Sequence, residues 1–205
     1  MSPSYPKSEI TRARIVEAAF QLFLEQGYAA TSIRQISRRA EVTVGGIYSH
    51  FTSKEEIWAA VVDAKHPYRQ ILPLVEEAEG DTIEQILHDA ARRMIAGLES
   101  RPDLLKLMFI ELVEFNGRDV SGLFLTSAPH MLAFISRALK KKGRLRDIPL
   151  PVIIRAFLAV LFWYYMTEMM IGQDIQAAFG TQSVDQYMDI LLHGILQSPA
   201  EAAHE

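Results

Sequence analysis

Between Thr43 and Lys54 the chain reads Thr-Val-Gly-Gly-Ile-Tyr-Ser-His-Phe-Thr-Ser-Lys, and these side chains suit one kind of chemistry. Val44, Gly45 and Gly46 are small enough to let a helix backbone approach the floor of a DNA major groove. There the Thr43 hydroxyl can meet a base edge and the Val44 methyls can meet thymine. Tyr48, His50 and Lys54 carry donors suited to phosphate oxygens, with Lys54 beside the free N–H groups of a helix start. Arg34, Arg38 and Arg39 add long-range attraction for a polyanion.

Rival chemistries find little support. The 205 residues include no cysteine, which removes disulfide frameworks, thiolate metal sites and thiol nucleophiles together. The six histidines show no metal-ligand spacing, so neither a metal nor a cofactor is expected. Ser4-Tyr5-Pro6-Lys7 matches a Ser-x-x-Lys pattern, but in a proline-containing tail with no fold around it, and chance explains it better. There is no phosphate loop and no recognisable pair of catalytic carboxylates. A helical small-molecule-binding enzyme without DNA-binding activity is the alternative reading.

The elements that must position this segment are helical. From Ser8 as N-cap, Ile15, Ala19, Leu22 and Phe23 recur at helical spacing until Gly27 stops the run, predicting a first helix over 9–26. Thr31 or Ser32 caps a short second helix, and the Ser32/Gln35 spacing fits a capping box. After a break at Glu41-Val42, Thr43 caps a third helix. Ile33, Ile36, Ala40, Val42, Ile47 and Phe51 are placed to lock the two short helices at a fixed angle, which describes a helix-turn-helix. Ser53-Lys54-Glu55-Glu56 opens a fourth helix with a second capping-box signature, disturbed at His66-Pro67.

Further helices are predicted over 82–99, 102–115, 127–142, 151–171 and 183–197, and no stretch alternates long enough to argue for a strand. The fold class is therefore all-α, with about nine helices. The division is a DNA-binding domain at 1–52 and a larger domain at 53–205, joined by the helix starting near Ser53. Charge follows it: residues 1–54 carry seven Lys/Arg against four Asp/Glu, residues 55–205 fourteen against twenty-one.

Two stretches invite other readings. Residues 152–172 have the length of a membrane span, but Arg155 and Glu168 leave an uninterrupted run of only twelve residues, so a helix buried on all sides is expected, with no membrane partner. The five cations within 140–146 read as a helix C-terminus, with Gly143 as its left-handed cap. No signal peptide is evident at the start, and a cytoplasmic protein is expected.

Residues 11–62 resemble the DNA-binding domain of the TetR family of bacterial transcriptional regulators. The resemblance rests on the helix-turn-helix followed by Tyr48-Ser49-His50-Phe51-Thr52-Ser53-Lys54-Glu55, with Ala18-Ala19, Phe23, Gly27-Tyr28, Thr31, Ile33 and Ile36. It covers about a quarter of the chain. It implies that the second and third helices face double-stranded DNA, with Thr43 to Gly46 near bases and Tyr48, His50 and Lys54 on phosphates; Thr31, Ser32 and Arg34 complete the expected DNA-binding set. It also implies a homodimer and a C-terminal domain for a small-molecule effector. The family commonly has Ala at Ser37 and Gly at Glu41, and a hydroxyl or methyl where Gly46 stands. Glu41 in a left-handed turn would store modest strain.

The body offers candidates for both C-terminal roles. Leu105, Met108, Phe109, Leu112 and Phe115, with Phe134 and then Phe157, Leu161 and Tyr164, are large apolar groups that can line an effector cavity. Tyr164, Glu168 or His130 are possible polar anchors. The circumferentially apolar helix near 152–171, including Leu158 and Phe162, and the Val184, Tyr187, Leu191, Ile195 stripe are the candidate dimer interface. Together these features predict a ligand-responsive regulator, most simply a repressor that an apolar or aromatic effector releases from a palindromic operator.

Overall fold

The computed structural model describes residues 7–170 and 183–195. Ser4-Tyr5-Pro6, Ile171 and Gly172, and Gln197 at the expected end of the last helix lie outside the described residues. Among the described residues there are ten helices and no strand: α1 (Lys7–Gln26), α2 (Ile33–Arg39), α3 (Val44–Tyr48), α4 (Lys54–Lys65), α5 (Pro67–Glu76), α6 (Ile83–Glu99), α7 (Asp103–Phe115), α8 (Val120–Ala138), α9 (Leu150–Met170) and α10 (Val184–Ile195). The all-α reading holds. Ser8 lies inside α1 rather than capping it, α5 is a helix that sequence reading passed over, and α8 begins earlier than residue 127.

The chain forms two compact units. One comprises residues 1–69 and 101–127, the other residues 70–100 and 128–205. In the first, α1 packs on α2, α4 and α7, and α2 packs on α3. Its core includes Phe20, Phe23, Ile36, Ile47, Phe51 and Trp58, each at most 2% exposed. Each such side chain contributes about 1.5–3 kcal/mol by leaving water. This core holds Ile36, Ala40, Ile47 and Phe51, with Ile33 and Val42 packed partly against it, as the helix-turn-helix pattern required. The compact unit does not stop near residue 52, because α4 and α7 share its core.

In the second unit α6, α9 and α10 pack on one another. The basic stretch is not a helix end: α8 stops at Ala138, and Lys142 instead forms an isolated bridge with Thr82, its carbonyl accepting from Ile83 N–H at 2.9 Å. Gly143 does take a positive φ of 118°, but beyond that bridge. Arg146 donates to the Gly194 carbonyl at 2.8 Å, placing a cation at the C-terminus of α10 where the helix dipole favours one. The α9 helix is apolar and long enough by length and composition to cross a membrane, yet it is not buried all round. Ile153, Leu161, Tyr164 and Tyr165 point inward while Val152, Phe162, Trp163, Met169 and Met170 are exposed.

Candidate nucleic-acid interface

The turn between α2 and α3 is built by backbone hydrogen bonding. Ser32 caps α2 in a complete capping box: Gln35 N–H donates to Ser32 Oγ at 3.3 Å, and Ser32 N–H donates to Gln35 Oε1 at 2.8 Å. At the other end Val42 N–H donates to the Ser37 carbonyl at 3.0 Å and Glu41 N–H to the Arg38 carbonyl at 3.2 Å. This pair of bonds is a Schellman motif, which demands a left-handed residue at its second-to-last position. That residue is Glu41, at φ 52°. Arg14 reinforces the turn, donating to the Ala40 carbonyl at 2.7 Å and to Glu41 Oε2 at 3.0 Å.

Thr43 then caps α3, its Oγ1 accepting from Gly46 N–H at 3.0 Å. The same oxygen would lie 3.2 Å from a Cβ at Gly46, so the cap leaves little room for any side chain there. A hydroxyl that accepts one bond still has a hydrogen to donate, and Thr43 is exposed.

The start of α4 closes the unit. Ser53 caps it by accepting from Glu56 N–H at 3.2 Å, while the Glu56 carboxylate reaches back to Thr52 N–H at 2.6 Å and Thr52 Oγ1 at 2.8 Å. The return bond of the expected capping box thus lands one residue earlier. These Thr52 donors hold the Glu56 carboxyl below its usual range.

The sequence-predicted contact residues fall into three groups. Val44, Tyr48, Gly45, Ser32 and Arg34 are exposed, with Val44 37% and Tyr48 55% accessible, and His50 is half-buried. Thr31 is corrected: it is only 2% exposed, and its hydroxyl donates inward to the Gly27 carbonyl at 2.8 Å. Lys54 is also corrected in emphasis. Its ammonium donates to the Tyr28 carbonyl at 2.9 Å and the Thr31 carbonyl at 2.8 Å, 4.0 Å above the Tyr28 ring centroid. Two of its three hydrogens therefore fasten α4 to the α1–α2 loop.

Sequence reading missed how deeply α7 enters this unit. Trp58 on α4 stacks on Phe115 with centroids 4.9 Å apart and planes at 9°, and Tyr28 meets both rings edge-on. The Trp58 indole N–H donates to Glu111 Oε2 at 2.7 Å, and Asp119 N–H donates to Glu111 Oε1 at 2.7 Å, which satisfies a carboxylate that is 1% exposed. Sequence reading placed Phe115 among effector candidates and did not single out Glu111, because nothing local pairs either residue with Trp58. At the end of α4, His66 is 2% exposed, and burial pushes its imidazole pKa down to about 4.

The candidate effector residues lie in both units. In the first, Leu105 is buried and Met108 half-buried, whereas Phe109 and Leu112 are 41% and 61% exposed. In the second, Phe134, Leu161 and Tyr164 are buried, Phe157 and Glu168 are half-buried, and the His130 imidazole lies 2.8 Å from the Glu76 carboxylate. Burial raises the Tyr164 phenol. An open groove of about 880 Å³ in the second unit is polar and contains none of these residues; Glu79, Asp81, Glu84, His88 and Arg92 are among its walls.

For the candidate dimer stripe, Val184 is buried with Met188 and Leu192 inside its own unit. Leu158, Tyr187 and Leu191 are half-buried, and Phe162 is exposed; the Ile195 side chain lies outside the described residues. The inward face of α10 is thus rotated from the expected one, because helix side chains 184, 188 and 192 stack on one face.

Residues 15–61 match the sequence model of the bacterial regulatory proteins, tetR family. Over 168 residues the chain is 26% identical to the uncharacterized HTH-type transcriptional regulator YvkB of Bacillus subtilis, covering 80% of this chain and 86% of that protein. It is 40% identical over 89 residues to the HTH-type transcriptional repressor Rv3405c of Mycobacterium tuberculosis, covering 43% and 46%. The crystal structure of a TetR family transcription regulator from Marinobacter aquaeolei aligns with a TM-score of 0.64 at 14% identity, over 93% of this chain and 97% of that one, and so shares the fold. The capped α2–turn–α3 unit lies inside the matched stretch, so residues 15–61 form a helix-turn-helix domain of the kind found in the bacterial regulatory proteins, tetR family.

Proposed function

We propose that the protein is a cytoplasmic, homodimeric repressor that binds a palindromic operator in double-stranded DNA and releases it on binding an apolar or aromatic small molecule. The observation that carries the reading is the α2–Glu41–α3 turn: a Schellman motif and a Thr43 cap hold a five-residue helix whose Val44, Gly45 and Tyr48 are exposed. Ser32, Arg34, Thr43 and Gly46 complete the base- and phosphate-facing set, with His50 at its margin. Lys54 has one ammonium hydrogen left for a phosphate. A repressor among the relatives favours repression.

The exposed side of α9 supports the dimer. Val152, Ala159, Phe162 and Met169 recur at helical spacing and are exposed, beside Trp163, with Ile190 of α10 77% exposed. A contiguous apolar stripe of this kind calls for a partner surface. Leu158, Tyr187 and Leu191 flank it, and two-fold pairing of α9 and α10 generates a palindromic site with half-sites roughly 34–36 Å apart or a multiple of that. Of the effector candidates, Phe157, Leu161, Tyr164 and Glu168 of the second unit carry the proposal furthest, combining apolar walls with a phenol and a carboxylate.

Selection of bound fragments from random DNA tests this reading and yields the operator. The expected result is a two-fold symmetric sequence bound with a steep salt dependence, weakened by effector by about 1–3 kcal/mol. A monomer at micromolar concentration, or binding without sequence preference, would overturn it.

A further inference from the structure

Away from the residues assigned to DNA, effector or dimer, two pairs of side chains converge in the second unit. Glu84 and His88 stand one turn apart on α6, and Asp185 and Asp189 stand one turn apart on α10. His88 is largely buried, and both of its ring nitrogens face carboxylates: Nδ1 lies 2.9 Å from Asp185 Oδ1 and Nε2 lies 3.2 Å from Asp189 Oδ1. One nitrogen from His88 and one oxygen each from Glu84 and Asp189 all lie within 4.8 Å of one another. Arg92 binds the far side of the pair, donating to Asp185 Oδ1 at 3.2 Å and Oδ2 at 3.4 Å.

We propose that Glu84, His88 and Asp189 bind a divalent transition-metal ion of the Zn2+ class, linking α6 to α10, with Asp185 as the carboxylate behind the histidine. The proposal is independent of the DNA-binding reading. Its geometry has the two layers that metal sites need. Asp185 accepts from Nδ1–H, which fixes the tautomer and aims the Nε2 lone pair at Asp189, the arrangement by which outer carboxylates orient metal-bound histidines.

A lone pair cannot face a carboxylate oxygen at 3.2 Å unless a proton or a cation lies between them. That separation is also about the edge of a tetrahedron with bonds of roughly 2.0–2.1 Å to nitrogen and oxygen. Charge favours the cation. Glu84, Asp185 and Asp189 bring three negative charges against the one positive charge of Arg92, so a dication gains more Coulomb attraction here than a single proton on the imidazole would. A dication with a neutral imidazole closes the balance.

Nitrogen with two carboxylate oxygens is a borderline donor set that suits zinc better than magnesium or calcium, and a water completes the coordination. Glu84 and His88 also line the open polar groove, which gives an aqueous route for the ion. Local spacing hid the site, because Asp189 comes from a distant stretch of chain.

The test is calorimetric titration of the tag-free, chelator-stripped full chain with Zn2+, repeated with Co2+ to read the visible absorption of a bound, low-coordinate ion. The expected result is one ion per chain and a raised unfolding temperature. Asp189→Asn, an exposed position that does not endanger folding, and His88→Gln should both abolish uptake. Asp185→Asn should weaken it about 10–100-fold. Uptake by the wild type no greater than that of a Glu84→Gln/Asp189→Asn double variant would overturn the proposal and make His88 an imidazolium shared by two aspartates.

Discussion

Replacing Glu41 by glycine should stabilise the protein, although it deletes an ion pair. Glu41 sits at φ 52°, where a side-chain-bearing L-residue is disfavoured by roughly 1–2 kcal/mol and glycine is not. Two terms oppose the gain. Glycine brings about 0.5–1 kcal/mol of extra chain entropy to the unfolded state. The Arg14–Glu41 pair is lost, but its side chains are 45% and 83% exposed, which limits its worth to about 0.5 kcal/mol. Arg14 keeps its bond to the Ala40 carbonyl in either case. The net expectation is a small stabilisation, about 0.25 kcal/mol at the centre of these ranges.

Glu41→Ala isolates the backbone term, since it also deletes the ion pair while keeping the strained φ. Glycine should therefore exceed alanine by about 1 kcal/mol. Urea unfolding at fixed protein concentration, followed by midpoint with an unchanged slope, reads the difference directly. A glycine variant less stable than the alanine variant by about 0.5–1 kcal/mol, the bare entropy cost of glycine, would mean that Glu41 stores no strain and that the Schellman bonds accommodate any residue.

Three other outcomes follow from the same unit. A Cβ at Gly45 would meet only Thr43 Oγ1 at 3.9 Å, so Gly45→Ala should raise stability by up to about 1 kcal/mol through helix propensity while reducing operator affinity; Gly46→Ala, pressed against the same oxygen at 3.2 Å, should bring no such gain. Denaturation and fluorescence anisotropy on the same samples separate the two effects. Lys54→Met should cost about 2–3 kcal/mol by orphaning the Tyr28 and Thr31 carbonyls, and should flatten the log–log salt slope of DNA binding by less than the roughly 0.9 of a full phosphate contact. His66, neutral when folded with a pKa of about 4 against about 6.5 unfolded, contributes stability that is complete above pH 6.5 and drains away as pH falls toward 4. Thermal unfolding at pH 7.5 and 5 should therefore diverge more for the wild type than for His66→Gln.

What could be read from the sequence was whatever short-range rules control. The Ser32/Gln35 capping box, the Gly27 stop, the Thr43 cap and the left-handed Glu41 are each decided within a few residues, and each appears in the structure. Long-range pairing was hidden. Thr31 and Lys54 were read as DNA contacts from their side-chain types and position, but Thr31 turns inward to Gly27 and Lys54 spends two of its three hydrogens on carbonyls of the α1–α2 loop. Likewise α9 reads as apolar around its circumference, and only the fold separates Leu161 and Tyr165 inside from Trp163 and Met170 outside. The helix α5 escaped because proline at its first position was read as a break, although Pro is well suited to that position.

The arrangement around Trp58 bears on where reading DNA ends as a structural task. Phe115 stacks on one face of the indole, the indole N–H is spent on Glu111, and Tyr28 packs edge-on against the same ring. Lys54 sits over Tyr28 and holds the Thr31 carbonyl, and the residue after Thr31 is the cap of α2. From α7 to the first residue of the helix-turn-helix there is thus an unbroken series of ring contacts and charge-assisted hydrogen bonds. A buried carboxylate deprived of its indole donor costs about 1–3 kcal/mol, more than a loosely packed surface can repay, so α4 and α7 move together or the unit opens. A boundary drawn after α3 would cut this series at its strongest joint. The unit that carries α3 is α1 to α4 with α7, whose Leu107 lies in the same core as Ile47 and Trp58.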